Sequence, residues 1–322
     1  MKKIFIPVLV LAALASCSNE DNMMTDNTHG RVAIIPSANV ENNIISRAAV
    51  EGTTFGQGDD VFRLSAFESK TEPDNWMVTG DEAFENIQVN GANDGSLTLA
   101  TEKFYPASGS GQKLWFYAYA PSANGTYTNG TATAAPYVTY TIDGQQDIMT
   151  GKVTDNNGFG GAAAGTTQTH PNFLFTHLLK KITFKVKAGD TFDAESKTAV
   201  SQIVVKNVKT SAKLDVVKGT LTFSGDADQT LTLSGSNTVI TDAEGGAEVP
   251  GCLMFEPERT FIVSVTAGGV TYADATVTLT GEKAGEAGVS HAVTLTFNRS
   301  GIVPTATITD WVSGTGADVD IQ

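Results

Sequence analysis

Apolar and polar residues alternate in steps of two along most of this chain. Ile182, Phe184 and Val186 alternate with Lys181, Thr183, Lys185 and Lys187. Phe261, Val263 and Val265 alternate with Ile262, Ser264 and Thr266, while Ala275, Val277 and Leu279 and then Val293, Leu295 and Phe297 are interleaved with threonines. Successive side chains of an extended backbone point to opposite faces, so each run predicts a half-buried strand. Leu114 to Ala120 is aromatic and reads as extended. Thr and Val are abundant, and branching at Cβ suits both to a pleated backbone. Asp143-Gly144 and Gly268-Gly269 mark turns between such runs. Only short helix candidates appear, around Asp81 to Phe84 and at His177 to Lys181. Many short strands with regular turns predict an all-β chain of β-sandwiches, and 322 residues favour two in tandem.

The stretch from Gly158 to Thr167 is low in bulk and reads as a loop. No strand–loop–helix unit frames it, so its glycines do not form a phosphate cradle. A boundary just after it, near residue 170, divides residues 48–170 from residues 171–322. Before the first strand-like run, residues 18–45 are polar and weakly patterned, with one short apolar piece at Val32-Ala33-Ile34-Ile35.

The N-terminal residues carry a different pattern. Lys2 and Lys3 precede an apolar run from Ile4 to Leu14, and Leu14-Ala15-Ser16-Cys17 follows. A basic start, a short apolar core and small residues before the cut mark residues 1–16 as a secretory signal. The run is shorter than the about 20 residues a spanning helix needs. The cysteine placed directly after the small residues resembles a lipobox, which implies cleavage before Cys17 and its acylation. Residues 17–47 are then a linker on a lipid anchor, each buried CH₂ contributing about 0.8 kcal/mol. Ser18-Asn19-Glu20-Asp21-Asn22 resembles the surface-export tag of Bacteroidetes lipoproteins.

Charge narrows the function classes. The formal net charge is −14, and losing residues 1–16 removes Lys2, Lys3 and no acid, giving about −16. No basic stretch is longer than Lys180-Lys181, so a phosphate-binding face for nucleic acid is excluded. With Cys17 acylated, Cys252 has no partner for a disulfide within the chain and reads as a small buried hydrophobe. His29, His170, His177 and His291 lack metal-ligand spacing, and no HExxH, GxSxG, SxxK or calcium loop occurs. Asp190, Asp193 and Glu195 crowd one turn and Asp226 and Asp228 another, and both read as solvated acidic loops. No catalytic group, metal or cofactor is expected.

Several segments in order carry a family likeness: Asn43-Ile44-Ile45-Ser46-Arg47-Ala48, Thr54-Phe55-Gly56-Gln57-Gly58-Asp59, Phe104-Tyr105-Pro106 and Phe116-Tyr117-Ala118-Tyr119-Ala120-Pro121. Gln145-Gln146-Asp147-Ile148-Met149, Phe175-Thr176-His177-Leu178-Leu179-Lys180 and Ile308-Thr309-Asp310-Trp311 complete the set. Behind a lipobox, this order resembles the fimbrillin-like lipoproteins of Bacteroidetes. The resemblance implies two transthyretin-like β-sandwich domains and a surface fimbria, with stalk, anchor and tip subunits sharing the fold. It also implies export as an outer-membrane lipoprotein, cleavage after an arginine and loss of an N-terminal strand. A strand of the next subunit then fills the opened groove by β-strand addition, and such head-to-tail contacts make filaments.

Mapped onto this chain, Arg47 is the first cleavage candidate and Arg31 the second, with Val32 to Ile45 holding the released strand. The donor strand is expected within 305–322, where Ala306, Ile308, Trp311, Val319 and Ile321 are the apolar candidates; the same tail also reads as an ordinary final strand. Partners are then other fimbrial subunits, own copies or paralogues, with a host or glycan ligand for a tip. A second reading, a surface glycan-binding lipoprotein, would use exposed Trp76, Trp115 or Tyr119 to stack on sugar rings, although Trp115 sits in an aromatic run that suits a core.

Overall fold

The structure, a computed structural model, describes residues 25–26, 31–40, 55, 57–153, 158–194, 198–298 and 301–309. Among them it is all-β, with no α-helix. In chain order the strands begin with β1 (Thr25–Asp26), β2 (Arg31–Val32), β3 (Ser37–Val40), β4 (Gly58–Ser69), β5 (Phe84–Gly91) and β6 (Leu97–Leu99). Next are β7 (Lys113–Ala120), β8 (Gly125–Thr128), β9 (Tyr137–Thr141), β10 (Met149–Val153) and β11 (Asn172–His177). Then come β12 (Lys180–Ala188), β13 (Ala199–Val208), β14 (Ser211–Asp215), β15 (Thr220–Ser224), β16 (Gln229–Val239) and β17 (Ala247–Phe255). The last are β18 (Thr260–Ala267), β19 (Val270–Thr271), β20 (Ala275–Thr278), β21 (Ser290–Asn298) and β22 (Gly301–Thr309).

Seven strands form one sheet in the order β3-β11-β10-β7-β4-β5-β6. Its two faces are both apolar. Phe62, Leu64, Phe116, Phe173 and Phe175 fill one side. On the other, Phe67, Trp115, Tyr117 and Tyr119 pack with Val138, Tyr140, Ala212 and Leu214 of the four-stranded sheet β15-β14-β9-β8. This explains why Leu114 to Ala120 shows no polar parity: β7 is central and buried on both sides. Apart from β1 and β2, which pair with each other, the remaining strands form two sheets, β17-β12-β21-β22 and β16-β13-β18-β19 with β20 beside β18. Ile182, Phe184, Val186, Val205, Val263, Val265, Leu295 and Phe297 interdigitate in the core they share, as in facing sheets generally.

Sheet membership does not follow a boundary at residue 170. Strand β11 pairs with β10, and the β14–β15 hairpin pairs with β9, so later residues complete the sheets that earlier residues begin. Long-range register decides this, and a glycine-rich loop cannot report it. That loop is nevertheless tied down: Phe159 and Leu114 exchange backbone hydrogen bonds of 2.9 Å, and the Gln168 side chain holds Ala162 and Gly160.

Neither helix candidate forms. Asp81 to Ala83 is a bend leading into β5, and His177 ends β11 while Lys180 begins β12. Pieces of four or five residues cannot repay the cost of helix nucleation, whereas strand pairing satisfies their backbone groups. Gly268 and Gly269 do turn the chain as expected. Both have positive φ, 57° and 79°, and they close the two-residue hairpin between β18 and β19.

Candidate functional site

The segment 31–40 lies along the edge of the seven-stranded sheet as a seated strand. Strand β3 runs parallel to β11, with Ser37 opposite Asn172 and Val40 opposite Phe175. Its backbone is bonded at several points. The Ile34 N–H donates to the Lys103 carbonyl (2.8 Å), the Tyr105 N–H to the Val32 carbonyl (3.0 Å) and the Ser37 N–H to the Pro171 carbonyl (3.0 Å). The Ser37 hydroxyl donates to Asn172 Oδ1 at 3.1 Å.

From Ile34 to Val40 the side chains alternate strictly. Ile34, Pro36, Ala38 and Val40 are buried, whereas Ile35, Ser37 and Asn39 face solvent. Pro36 has no N–H to satisfy, so it sits inside without cost to the hydrogen-bond ladder. Ile34, Ala38 and Val40 join Phe55, Phe62, Tyr105, Phe173 and Phe175 in one cluster. Those rings meet one another at 4.7 Å (Phe55 with Phe175) and 5.0 Å (Phe62 with Phe175). Gly151 makes room for them, since a Cβ there would lie 2.6 Å from the Phe175 ring.

Polar groups fix both ends of the first half. The Arg31 guanidinium bonds the carboxylate of Glu82, whose side chain is only 7% exposed. Burial pushes the Glu82 carboxyl above its ordinary range; Arg31 pulls it down, and Glu68 and Asp81 push it further up. The Ile35 N–H donates to His170 Nδ1 at 3.2 Å, and the Tyr105 hydroxyl lies 3.1 Å from the same nitrogen. Burial holds the His170 pKa below 6.5. The imidazole must be neutral at Nδ1 to accept the Ile35 N–H.

Of the residues singled out in the sequence, Arg31 takes part in this site. Cys17, Arg47, Trp311, Val319 and Ile321 lie outside the described residues. Ala306 and Ile308 fall in β22, opposite Val293 and His291 of β21, so the described part of the candidate donor segment pairs within its own chain. The rings considered for sugar stacking are engaged elsewhere. Trp115 is buried and its Nε1–H donates to the Ser69 carbonyl (3.2 Å), and the buried Tyr119 hydroxyl donates to Asn86 Oδ1 (2.6 Å). Trp76 is half-buried, edge-on to Phe67 at 5.3 Å and to Tyr117 at 5.7 Å.

The groove is therefore a strand-shaped slot. It is walled by β11 on one side and residues 103–105 on the other, floored by phenylalanines, and carries an acid at its mouth. The sequence places Pro36 to Val40 within the expected released strand, Val32 to Ile45, but marks only Val32 to Ile35 as apolar and gives no role to Glu82 or His170. A period-two pattern from Ile34 through Val40 was available as a signal.

A family model described as fimbrillin-like matches residues 46–311. That span begins beyond Val40, so the seated strand lies outside it. A Bacteroides uniformis protein named as a candidate fimbrium subunit, Fim1C, is 25% identical over 98% of this chain and 97% of its own length. Among solved structures, a fimbrial protein from Bacteroides vulgatus superposes with a TM-score of 0.57 at 16% identity, covering 88% of this chain and 100% of that one. A candidate cell adhesion protein from Bacteroides uniformis gives 0.56 at 20% identity, covering 88% and 99%. Both show a shared fold.

Proposed function

Because this chain belongs to the fimbrillin-like family, we propose that it is a structural subunit of a surface fimbria that exchanges its N-terminal strand for one from a neighbouring subunit. The observation that carries this reading is the seated segment 31–40, alternately buried from Ile34 to Val40 and bonded to the sheet through its backbone. The chain reaches the cell surface as a lipoprotein acylated on Cys17. A protease cut after Arg47 then severs the seated strand from the sandwich that holds it. A cut after Arg31 would leave Val32 to Val40 on the retained chain and open nothing, so Arg47 is the productive site. Once the covalent link is gone, the strand no longer benefits from a tethered effective concentration and can be replaced. Backbone hydrogen bonds and alternate pockets then hold the incoming strand. In turn, the residues that follow β22, with Trp311, Val319 and Ile321, serve the groove of another subunit, while Ala306 and Ile308 stay paired with β21. The role asks for no catalytic group, metal or cofactor.

Limited digestion of the lipid-free chain with an arginine-specific protease tests this reading, using wild type, Arg31→Gln and Arg47→Gln. The expected outcome is loss of the segment ending at Arg47 by intact mass in wild type and Arg31→Gln, and its retention in Arg47→Gln. Release from Arg47→Gln at an unchanged rate would refute the assignment.

Acid should loosen the cut strand. In the closed groove His170 is held neutral, and on opening it returns toward 6.5. The open state therefore binds the extra proton, so the strand's hold is complete above pH 6.5 and declines below it. Size-exclusion of the cut chain between about pH 7 and about pH 5 should show falling retention of the segment on acidification. Rising retention would contradict this.

A further inference from the structure

The mouth of the groove is acidic, and the seated strand itself brings the charge that balances it. Glu82 is almost wholly buried and its carboxylate is bonded by Arg31. The Glu82 N–H donates to Glu68 Oε2 at 3.2 Å, and Asp81 adds like charge beside it. The nearby Lys103 points its ammonium over the Phe84 ring, 5.7 Å from the centroid. When segment 31–40 leaves, Arg31 leaves with it. A buried carboxylate that has lost its partner is costly, so whatever strand follows must restore a cation at that position.

Position in the strand matters as well as charge. Arg31 directly precedes the pattern Val32-Ala33-Ile34, whose apolar residues turn inward. An acceptable occupant therefore has a basic residue immediately before alternating apolar ones. The candidate donor segment of this chain does not meet that demand. Residues 305–322 contain no Lys, Arg or His, and they contain Asp310, Asp318 and Asp320. Seated in the groove of a second copy, that segment would leave Glu82 unpaired.

We propose that this groove selects its occupant by charge, taking a strand that presents an arginine or lysine to Glu82, and that this strand comes from a different subunit rather than from a copy of this chain. The inference rests on the strand-exchange reading above. It makes assembly at this groove heterotypic: the attractive element is the guanidinium, and the repulsive element against self-pairing is the acidic tail.

The test uses the full lipid-free chain, cut after Arg47, and labelled synthetic peptides followed by fluorescence anisotropy. The peptides are residues 29–42, the same with Arg31→Gln, residues 303–322, and the same with Thr305→Arg, which places an arginine before Ala306-Thr307-Ile308. The arginine-bearing member of each pair should bind at least about tenfold more tightly, and the difference should shrink as salt is raised. In a Glu82→Gln acceptor both preferences should vanish. The peptide comparison on the wild-type acceptor stands even if that variant folds poorly. Uptake of unmodified 303–322 as tightly as 29–42 would overturn charge selection while leaving strand exchange intact. Failure of every peptide to enter would overturn strand exchange, and charge selection with it.

Discussion

A chain that begins at residue 48 is expected to be less stable than one that keeps residues 31–40, by up to about 6 kcal/mol, and to associate in solution. The figure follows from two side chains. Ile34 and Val40 are 5% and 3% exposed, and fully burying an aliphatic side chain of this size contributes roughly 1.5–3 kcal/mol. The strand's backbone hydrogen bonds add about 1 kcal/mol each but ordering it costs about 1–2 kcal/mol per residue, so the side-chain figure is an upper bound. Removing the strand also bares one edge of β11 above Phe173 and Phe175. An unpaired edge over an apolar floor recruits another strand. Urea unfolding should show a lower midpoint, and size-exclusion should show species larger than a monomer. A shortened chain that is as stable as the longer one and strictly monomeric would mean that the groove is not an acceptor.

Replacing Lys180 by Met should stabilise the protein at neutral pH by roughly 1–3 kcal/mol. Lys180 is fully buried. Its ammonium donates to the Glu258 carbonyl at 2.6 Å and lies 4.2 and 5.0 Å from the centroids of Phe255 and Phe261. Burial pushes its pKa down from 10.5 to about 7, against the opposing pull of Glu258 and Glu256. A base whose folded pKa is depressed leaves the fold at full stability above 10.5. As the pH falls toward 7 the unfolded chain takes up a proton that the folded chain refuses. Each unit is worth about 1.4 kcal/mol, so the penalty at pH 7 is on the order of 4 kcal/mol. The lost hydrogen bond and ring contacts offset part of the gain in the Met variant. The stability difference between variant and wild type should therefore shrink as the pH is raised from about 7 to about 10. A Met variant that is destabilised equally at both pH values would show that the amine is held for its bonds rather than tolerated.

Much of this fold is written in local pattern. The alternation at Ile182, Phe184 and Val186 became the buried face of β12, and Val293, Leu295 and Phe297 that of β21. Two polar letters misled the reading of the same region. Lys181 stands at a polar position of that alternation, yet it and Lys180 are both buried where the chain crosses from β11 to β12. His177 likewise looked isolated, whereas it meets Asp147 at 2.8 Å across a pairing that only the β10–β11 register creates.

The site was half visible for the same reason. Val32 to Ile35 stands out as apolar, but Ile35, an apolar residue at a solvent-facing position, breaks the alternation that Ser37 and Asn39 otherwise mark. Their wall, Asn172 to Phe175, lies far along the chain, and a parallel pairing leaves no turn signature between partners. Glu82 and His170 gain meaning only from Arg31 and Ile35, which the fold brings to them. Residue types alone could not show that one buried acid waits for a cation carried by a removable strand.

The central claim is that segment 31–40 is a replaceable strand covering β11. Hydrogen exchange of the peptide spanning residues 171–178 tests it most directly, measured before the cut after Arg47, after the cut and removal of the freed segment, and after an occupant strand is added. The amides among residues 172–175 that face β3 should be protected at first, exchange fast once the segment has gone, and regain protection with the new strand, while those that face β10 stay protected throughout. Protection that is unchanged after the segment has been removed would contradict the account.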